Sequence, residues 1–126
     1  MYTAGFDGSA IPNPGQMKIG GWIDDPSGKR IFEFMREIGD GTNNIAEYAA
    51  LLTLLKEAER RGIKKINIIG DSQLIINQVN GEWKAKDLRM RQYKGRVLAI
   101  LNKMQDWKLT HVVRKFNKQA DNLTRF

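Results

Sequence analysis

Hydrophobic and polar positions alternate along residues 31–38. Ile31, Glu33 and Met35 share one face, and Phe32, Phe34 and Arg36 share the other. That two-residue period predicts a strand. Two earlier segments have the same character. Residues 3–8 begin as a strand and end in Asp7-Gly8-Ser9, and residues 19–23 form a second run in which Gly20-Gly21 calls for a close backbone approach or a bulge. Between them Pro12-Asn13-Pro14-Gly15 makes a tight loop, and Asp24-Asp25-Pro26-Ser27-Gly28 is a turn signal. Three strands joined by short turns predict an antiparallel meander.

Gly39-Asp40-Gly41 breaks the pattern, and the period then changes to that of a helix over residues 44–61. Its expected solvent stripe is Ala46, Ala50, Thr53, Glu57 and Arg60, while Ile45, Tyr48, Leu51, Leu52 and Leu55 cover the rest. Gly62 supplies a C-terminal stop. The short apolar run 66–69 suits an interior parallel strand covered on both faces. A second helix is expected over 72–79, interrupted by Asn80-Gly81. A third spans 87–105, with Met90, Tyr93, Val97, Leu101 and Met104 on one face. Residues 109–113 make a last strand, and 117–126 leave room for a helical turn or two. Strands that alternate with helices imply parallel crossovers. The expectation is therefore one α/β domain over residues 1–126, without repeats or linkers.

Composition adds two constraints. The chain has no cysteine, which excludes a disulfide framework and thiolate metal sites and fits a reducing cytoplasm. The first six residues have no charged leader followed by an apolar stretch. The apolar segment 49–55 is too short to span a bilayer, so no membrane partner is expected. The net charge is +7 and is unevenly placed. Residues 1–63 hold 7 Lys/Arg and 9 Asp/Glu, whereas residues 64–126 hold 14 and 5. Such asymmetry points to a polyanion-binding face built by the second half, or else to a basic surface with no partner.

Four carboxylates fall at the ends of these elements. Asp7 lies near the end of the first strand, Glu47 in the first turn of the first helix, Asp71 just past the fourth strand, and Asp121 at the start of the last helix. Each has an ordinary explanation: a turn, a capping box with Asn44, a helix N-cap at Asp71-Ser72, and a favourable helix dipole. Jointly they suggest more. Sites in open α/β sheets form outside the carboxyl ends of parallel strands, and crowded acids are tolerated where a hard divalent cation binds.

The residues around these acids match a known family. Phe6-Asp7-Gly8-Ser9 with Asn13-Pro14-Gly15, then Thr42-Asn43-Asn44-Ile45-Ala46-Glu47, then Gly70-Asp71-Ser72-Gln73, and finally Asn117-Lys118-Gln119-Ala120-Asp121 follow in order. The chain resembles ribonuclease H type 1 across nearly its whole length. The resemblance implies a five-stranded mixed sheet, three antiparallel strands then two parallel ones, flanked by helices. It implies an endonuclease that hydrolyses the RNA strand of RNA–DNA hybrids and leaves 5′-phosphate and 3′-hydroxyl ends. Asp7, Glu47, Asp71 and Asp121 would hold two Mg²⁺ ions, with Mn²⁺ as a substitute. Asn13, Asn44 and Gln73 match positions that touch 2′-hydroxyls and the minor groove, and Thr42 and Asn43 match positions near the phosphates of the DNA strand. Gly8, Ser9 and Ser72, beside the acids, belong with this substrate-contacting set. The 2′-hydroxyl distinguishes RNA from DNA, and Asn and Gln can both donate to it and accept from it.

The chain departs from the family pattern in several places. Some members carry a histidine in a loop before the last acid. Here that loop shortens to Val113-Arg114-Lys115-Phe116-Asn117, and the lone histidine, His111, falls in the expected strand as a structural residue. Arg114 is the candidate for the missing role, holding the scissile phosphate, or it pairs with the acids. A basic protrusion is absent between the second and third helices. Trp83 with Lys84 and Lys86 makes a DNA-strand groove, or Trp83 packs in the core. Arg89, Arg91, Lys94 and Arg96 extend a phosphate track or form a solvated helix face. Phe126 follows Asp121 by five residues, so a shortened closing helix and a more loosely held Asp121 are expected. Two further readings remain: a module that grips hybrids or duplex RNA and cuts them poorly, and another nuclease of the same fold, such as a resolvase or transposase domain. A monomer is the expected state.

Overall fold

A computed structural model of the protein describes residues 1–113. The strands are β1 (Tyr2–Ile11), β2 (Gly15–Asp24), β3 (Arg30–Gly41), β4 (Lys65–Gly70) and β5 (Asp106–His111). The helices are α1 (Asn43–Arg60), α2 (Gln73–Val79) and α3 (Leu88–Leu101). They form one five-stranded sheet in the order β3-β2-β1-β4-β5, antiparallel from β3 to β1 and parallel from β1 to β5. This is the expected mixed sheet. The expected helical turns over 117–126 lie outside the described residues. No helix among the described residues is long and apolar enough to cross a membrane.

Several boundaries differ from the sequence pattern, each for a tertiary reason. β1 does not end at Asp7-Gly8-Ser9 but continues to Ile11, because β2 pairs along it as far as Ile11 opposite Gln16. Likewise Gly39-Asp40-Gly41 does not end β3, since Asp40 and Gly41 pair with Gln16 and Gly15. Gly20-Gly21 marks a close approach, not a bulge. A Cβ on Gly21 would meet Phe34 at 2.7 Å and the Gly5 carbonyl oxygen at 2.8 Å, whereas the register shifts of β2 fall elsewhere, near Met17 and Asp24. β5 starts at Asp106 and ends at His111, earlier than its apolar letters suggest. Of its residues only Leu109 is buried, so the alternation is faint.

The expected solvent stripe of α1 is wrong at Ala46 and Ala50, which are fully buried. α1 packs on β1 and β2 and against α3, and the Ala46 backbone lies against Gly8 of β1. The exposed positions of α1 are Asn43, Lys56, Glu59 and Arg60. Gly62 ends the helix with φ of 72°, and its N–H donates to the Glu59 carbonyl. α3 starts from Asp87, whose carboxylate accepts from Met90 N at 2.9 Å. It buries Met90, Val97 and Leu101, and Tyr93 stacks on Tyr48 of α1 with ring centroids 6.3 Å apart.

Candidate metal and nucleic-acid site

The site is built where the parallel pairing of β1 and β4 runs out. The pairing ends with Gly5 opposite Ile69. Carrying that register forward two residues sets Asp7 level with Asp71. Asp7 is therefore not at the end of its strand. It lies mid-strand, paired with Gly20 on one side, while its other edge has lost β4.

Two glycines let the neighbouring backbones close in. A Cβ on Gly8 would lie 2.3 Å from the Ala46 carbonyl carbon and oxygen and 2.6 Å from Glu47 N. Real Cβ atoms do not come so near, so only glycine lets α1 rest on β1 here. That contact brings Glu47 over the strand, and the Gly8 N–H donates to Glu47 Oε1 at 2.8 Å. A Cβ on Gly70 would lie 2.6 Å from the Phe6 ring. The ring thus fills the space beneath the start of the β4–α2 turn that carries Asp71.

The outcome is that Asp7, Glu47 and Asp71 each offer an oxygen within 4.8 Å of the others. Asp7 and Glu47 are buried and Asp71 is half-buried. Burial pushes the Glu47 carboxyl well above its usual range. A hydrogen bond and charge repulsion from Asp7 add to this, as does the charge of Asp71, while the Gly8 N–H opposes it. Such a trio suits a hard divalent cation, which neutralises the repulsion and takes carboxylate oxygens. Asp121 and Arg114 lie outside the described residues.

The structure decides the ordinary readings of three acids. Glu47 is not a capping-box acid on Asn44, and it lies beyond the first turn. Thr42 is the N-cap of α1, with Oγ1 accepting from Ile45 N at 3.2 Å. Asp71 does not cap α2 either, because Ser72 does, accepting from Ile75 N. Asp7 is in a strand, not a turn. All three carboxylates are thereby left to face one another.

A pocket of about 380 Å³ opens beside Glu47 and Asp71, lined in part by Ser9, Asn43, Asn44 and Ser72. Asn43 Oδ1 accepts from Ala10 N at 2.7 Å, and Asn13 Oδ1 accepts from Asn43 N at 3.1 Å. Their oxygens are used internally, so their NH₂ groups remain to donate. These bonds also tie the β1–β2 turn to the start of α1. Asn13, Thr42, Asn43 and Asn44 line a second groove of about 600 Å³ at that helix start.

Other expected site residues are not brought to the trio. Gln73 is exposed in the first turn of α2 and lines neither concavity. Trp83 is 45% exposed, which overturns its reading as core packing, and Lys84 lines a separate shallow pocket with Arg91. Conversely, His111 is not a packed structural residue. It is exposed, pairs with Gly70 and lines the carboxylate pocket. Only the parallel register of β4 and β5 reveals this, since a histidine at a strand end carries no signal of its own.

Residues 5–126 match the family model described as Reverse transcriptase-like. The chain is 38% identical over 118 residues to ribonuclease HI of Halobacterium salinarum, covering 94% of this chain. It spans 59% of that relative's length. The crystal structure of RNase H1 from the halophilic archaeon Halobacterium salinarum NRC-1 superposes with a TM-score of 0.92 at 38% identity, covering 97% of this chain and 92% of that one. LC11-RNase H1 in complex with an RNA/DNA hybrid superposes with a TM-score of 0.90 at 30% identity, covering 98% and 93%.

Proposed function

Because the chain belongs to the ribonuclease H1 branch of the Reverse transcriptase-like family, we propose that it hydrolyses the RNA strand of RNA–DNA hybrids. The observation that carries this reading is the convergence of Asp7, Glu47 and Asp71 within 4.8 Å beside a groove of amide side chains. Those three acids, with Asp121, would hold two divalent cations, Mg²⁺ in the first place and Mn²⁺ as a substitute. When bound, such ions stabilise charge on the attacking and leaving oxygens of an in-line phosphodiester displacement.

The chain's own residues do the rest. Gly8 N–H holds Glu47 in place from the backbone, so its position does not depend on a mobile partner. The NH₂ groups of Asn13 and Asn43 donate to sugar and phosphate oxygens, and Asn44 can donate and accept at a 2′-hydroxyl, the group that marks the RNA strand. Thr42 and the start of α1 line the second groove, where a DNA-strand phosphate would sit at the positive end of the helix dipole. The products are a 5′-phosphate and a 3′-hydroxyl. The enzyme acts as a monomer, and the absence of cysteine favours the cytoplasm.

The test is direct. Labelled hybrid, duplex RNA and duplex DNA are incubated with the protein and Mg²⁺ or Mn²⁺, beside Asp71→Asn. Cleavage of the hybrid's RNA strand alone, lost in the variant, is expected. Cleavage undiminished in Asp71→Asn refutes the assigned site, and saturable hybrid binding with no turnover in either metal replaces the enzyme by a binding module.

A further inference from the structure

A wedge of about 300 Å³ opens between β3, α1 and α3, away from the carboxylate trio. Arg36 borders it from β3, Lys56 from α1, and Arg89 and Arg96 from α3. No carboxylate lines it. Its floor is apolar, with Ile19 and Leu52 buried beneath the cations.

The four cations are exposed, and none forms an ion pair with a described residue. Of the acids in the adjoining segments, Glu37 pairs with Lys18, Glu57 with Arg60 and Arg61, and Asp87 caps α3, while Asp40 is exposed beside Gly39 and does not line the wedge. Arg89 donates from Nη1 to the Asp40 carbonyl at 3.0 Å, a neutral partner that leaves its charge uncompensated. Four like charges around one concavity with a low-dielectric floor focus a positive potential into it.

The wedge also shares lining residues, in series, with the two concavities described above. Asn43 and Asn44 line both the carboxylate pocket and the groove at the start of α1. Arg89 lines both that groove and the wedge. A polyanion that lies in the carboxylate pocket and passes over the start of α1 therefore meets Arg89 next, and then the wedge. The volume lies at the small end of ligand pockets, suited to one phosphate with its sugar and too small for a duplex.

We propose that this wedge is a phosphate site that holds a backbone phosphate of the nucleic acid flanking the scissile bond. The source of the phosphate rests on the hydrolase reading above, whereas the site itself requires only a phosphate-bearing ligand. The site would raise affinity for longer substrates without taking part in bond cleavage.

The test compares Lys56→Gln/Arg96→Gln with the unsubstituted residues on a cleavage-dead Asp71→Asn background, in a length series of hybrids. Both side chains are exposed and unpaired, and circular dichroism and the melting temperature verify the fold. With long hybrids the double change is expected to weaken binding about tenfold at low salt and to reduce the log–log salt slope by about 1. With hybrids trimmed until they no longer pass the start of α1, the difference should vanish. A parallel arm measures the melting temperature with inorganic phosphate or a nucleoside diphosphate alone. Protection lost in the double variant, with long-hybrid binding unchanged, keeps the site and assigns it to a free phosphate compound. Unchanged hybrid binding and unchanged protection together overturn the proposal. If the wild-type protein cuts no hybrid, the hydrolase reading fails separately, and the phosphate arm still decides the wedge.

Discussion

Glu47 and Glu57 lie on the same helix and meet opposite environments. Glu57, near the C-terminal end of α1, accepts from Arg60 and Arg61, and those guanidinium groups hold its carboxyl below the usual range. Glu47, near the other end, is buried against two further acids, and burial holds its carboxyl well above the usual range. Arg60 suits the negative end of the helix dipole, so Glu57 and its partners form a modestly stabilising surface cluster. The Glu47 end does the reverse. It gathers three carboxylates within 4.8 Å of one another, where burial and like charge disfavour the ionised form of Glu47 and a bound cation would favour it. Placement against cost, within one helix, separates a residue kept for chemistry from one kept for the fold.

Glu47→Gln should break the comparison most sharply. The amide can still accept from Gly8 N–H, yet it removes one charge from the trio. Hybrid hydrolysis is expected to fall by about a thousandfold, comparable to loss of a principal electrostatic contact, while metal-free stability in urea rises by about 1 kcal/mol. A variant that loses both activity and stability would mean that Glu47 is structural. Next in size is Gly8→Ala. Its Cβ would collide with backbone, not with a side chain that can move. A loss of about 3 kcal/mol is expected by denaturant titration, together with most of the activity, because the strand and the helix must part.

The pH dependence sharpens the contrast by its sign. Folded Glu47 keeps its proton to higher pH than the unfolded carboxyl, whose ordinary value is 4.5. The native state then binds more protons, so metal-free stability should fall as pH rises from about 4.5 towards the folded value. Melting curves across that range should slope downward for wild type and flatten in Glu47→Gln. Glu57 carries the opposite sign. Its contribution is present above about 4.5 and is lost as pH falls through its lowered value. The smallest effect is that of Glu57→Gln, which should cost under about 1 kcal/mol by the same titration and leave hydrolysis unchanged.

Much of this was legible in the letters. The alternation over residues 31–38, the helical period after Thr42 and the short apolar run 66–69 each correspond to an observed element, although Asn67 and Ile69 are only half-buried. The resemblance carried by the motifs around Asp7, Glu47 and Asp71 singled out those acids, and the structure brings their oxygens within 4.8 Å of one another. Local signals failed where a partner overrode them. Asp7-Gly8-Ser9 has the composition of a turn, yet β2 pairs straight through it. Ala46 and Ala50 look like a neutral outer stripe, yet both are fully buried.

The sequence by itself determined which residue types were available and how the chain would divide into strands and helices, since both follow from short periods and local backbone preference. Only the tertiary structure decided that Gly8 must be glycine for Glu47 to reach Asp7, that His111 lies beside Asp71, and that Arg36, Lys56, Arg89 and Arg96 surround one concavity. Those facts depend on register and on the approach of segments far apart in the chain. Such distances are set by packing, which no window of neighbouring residues contains.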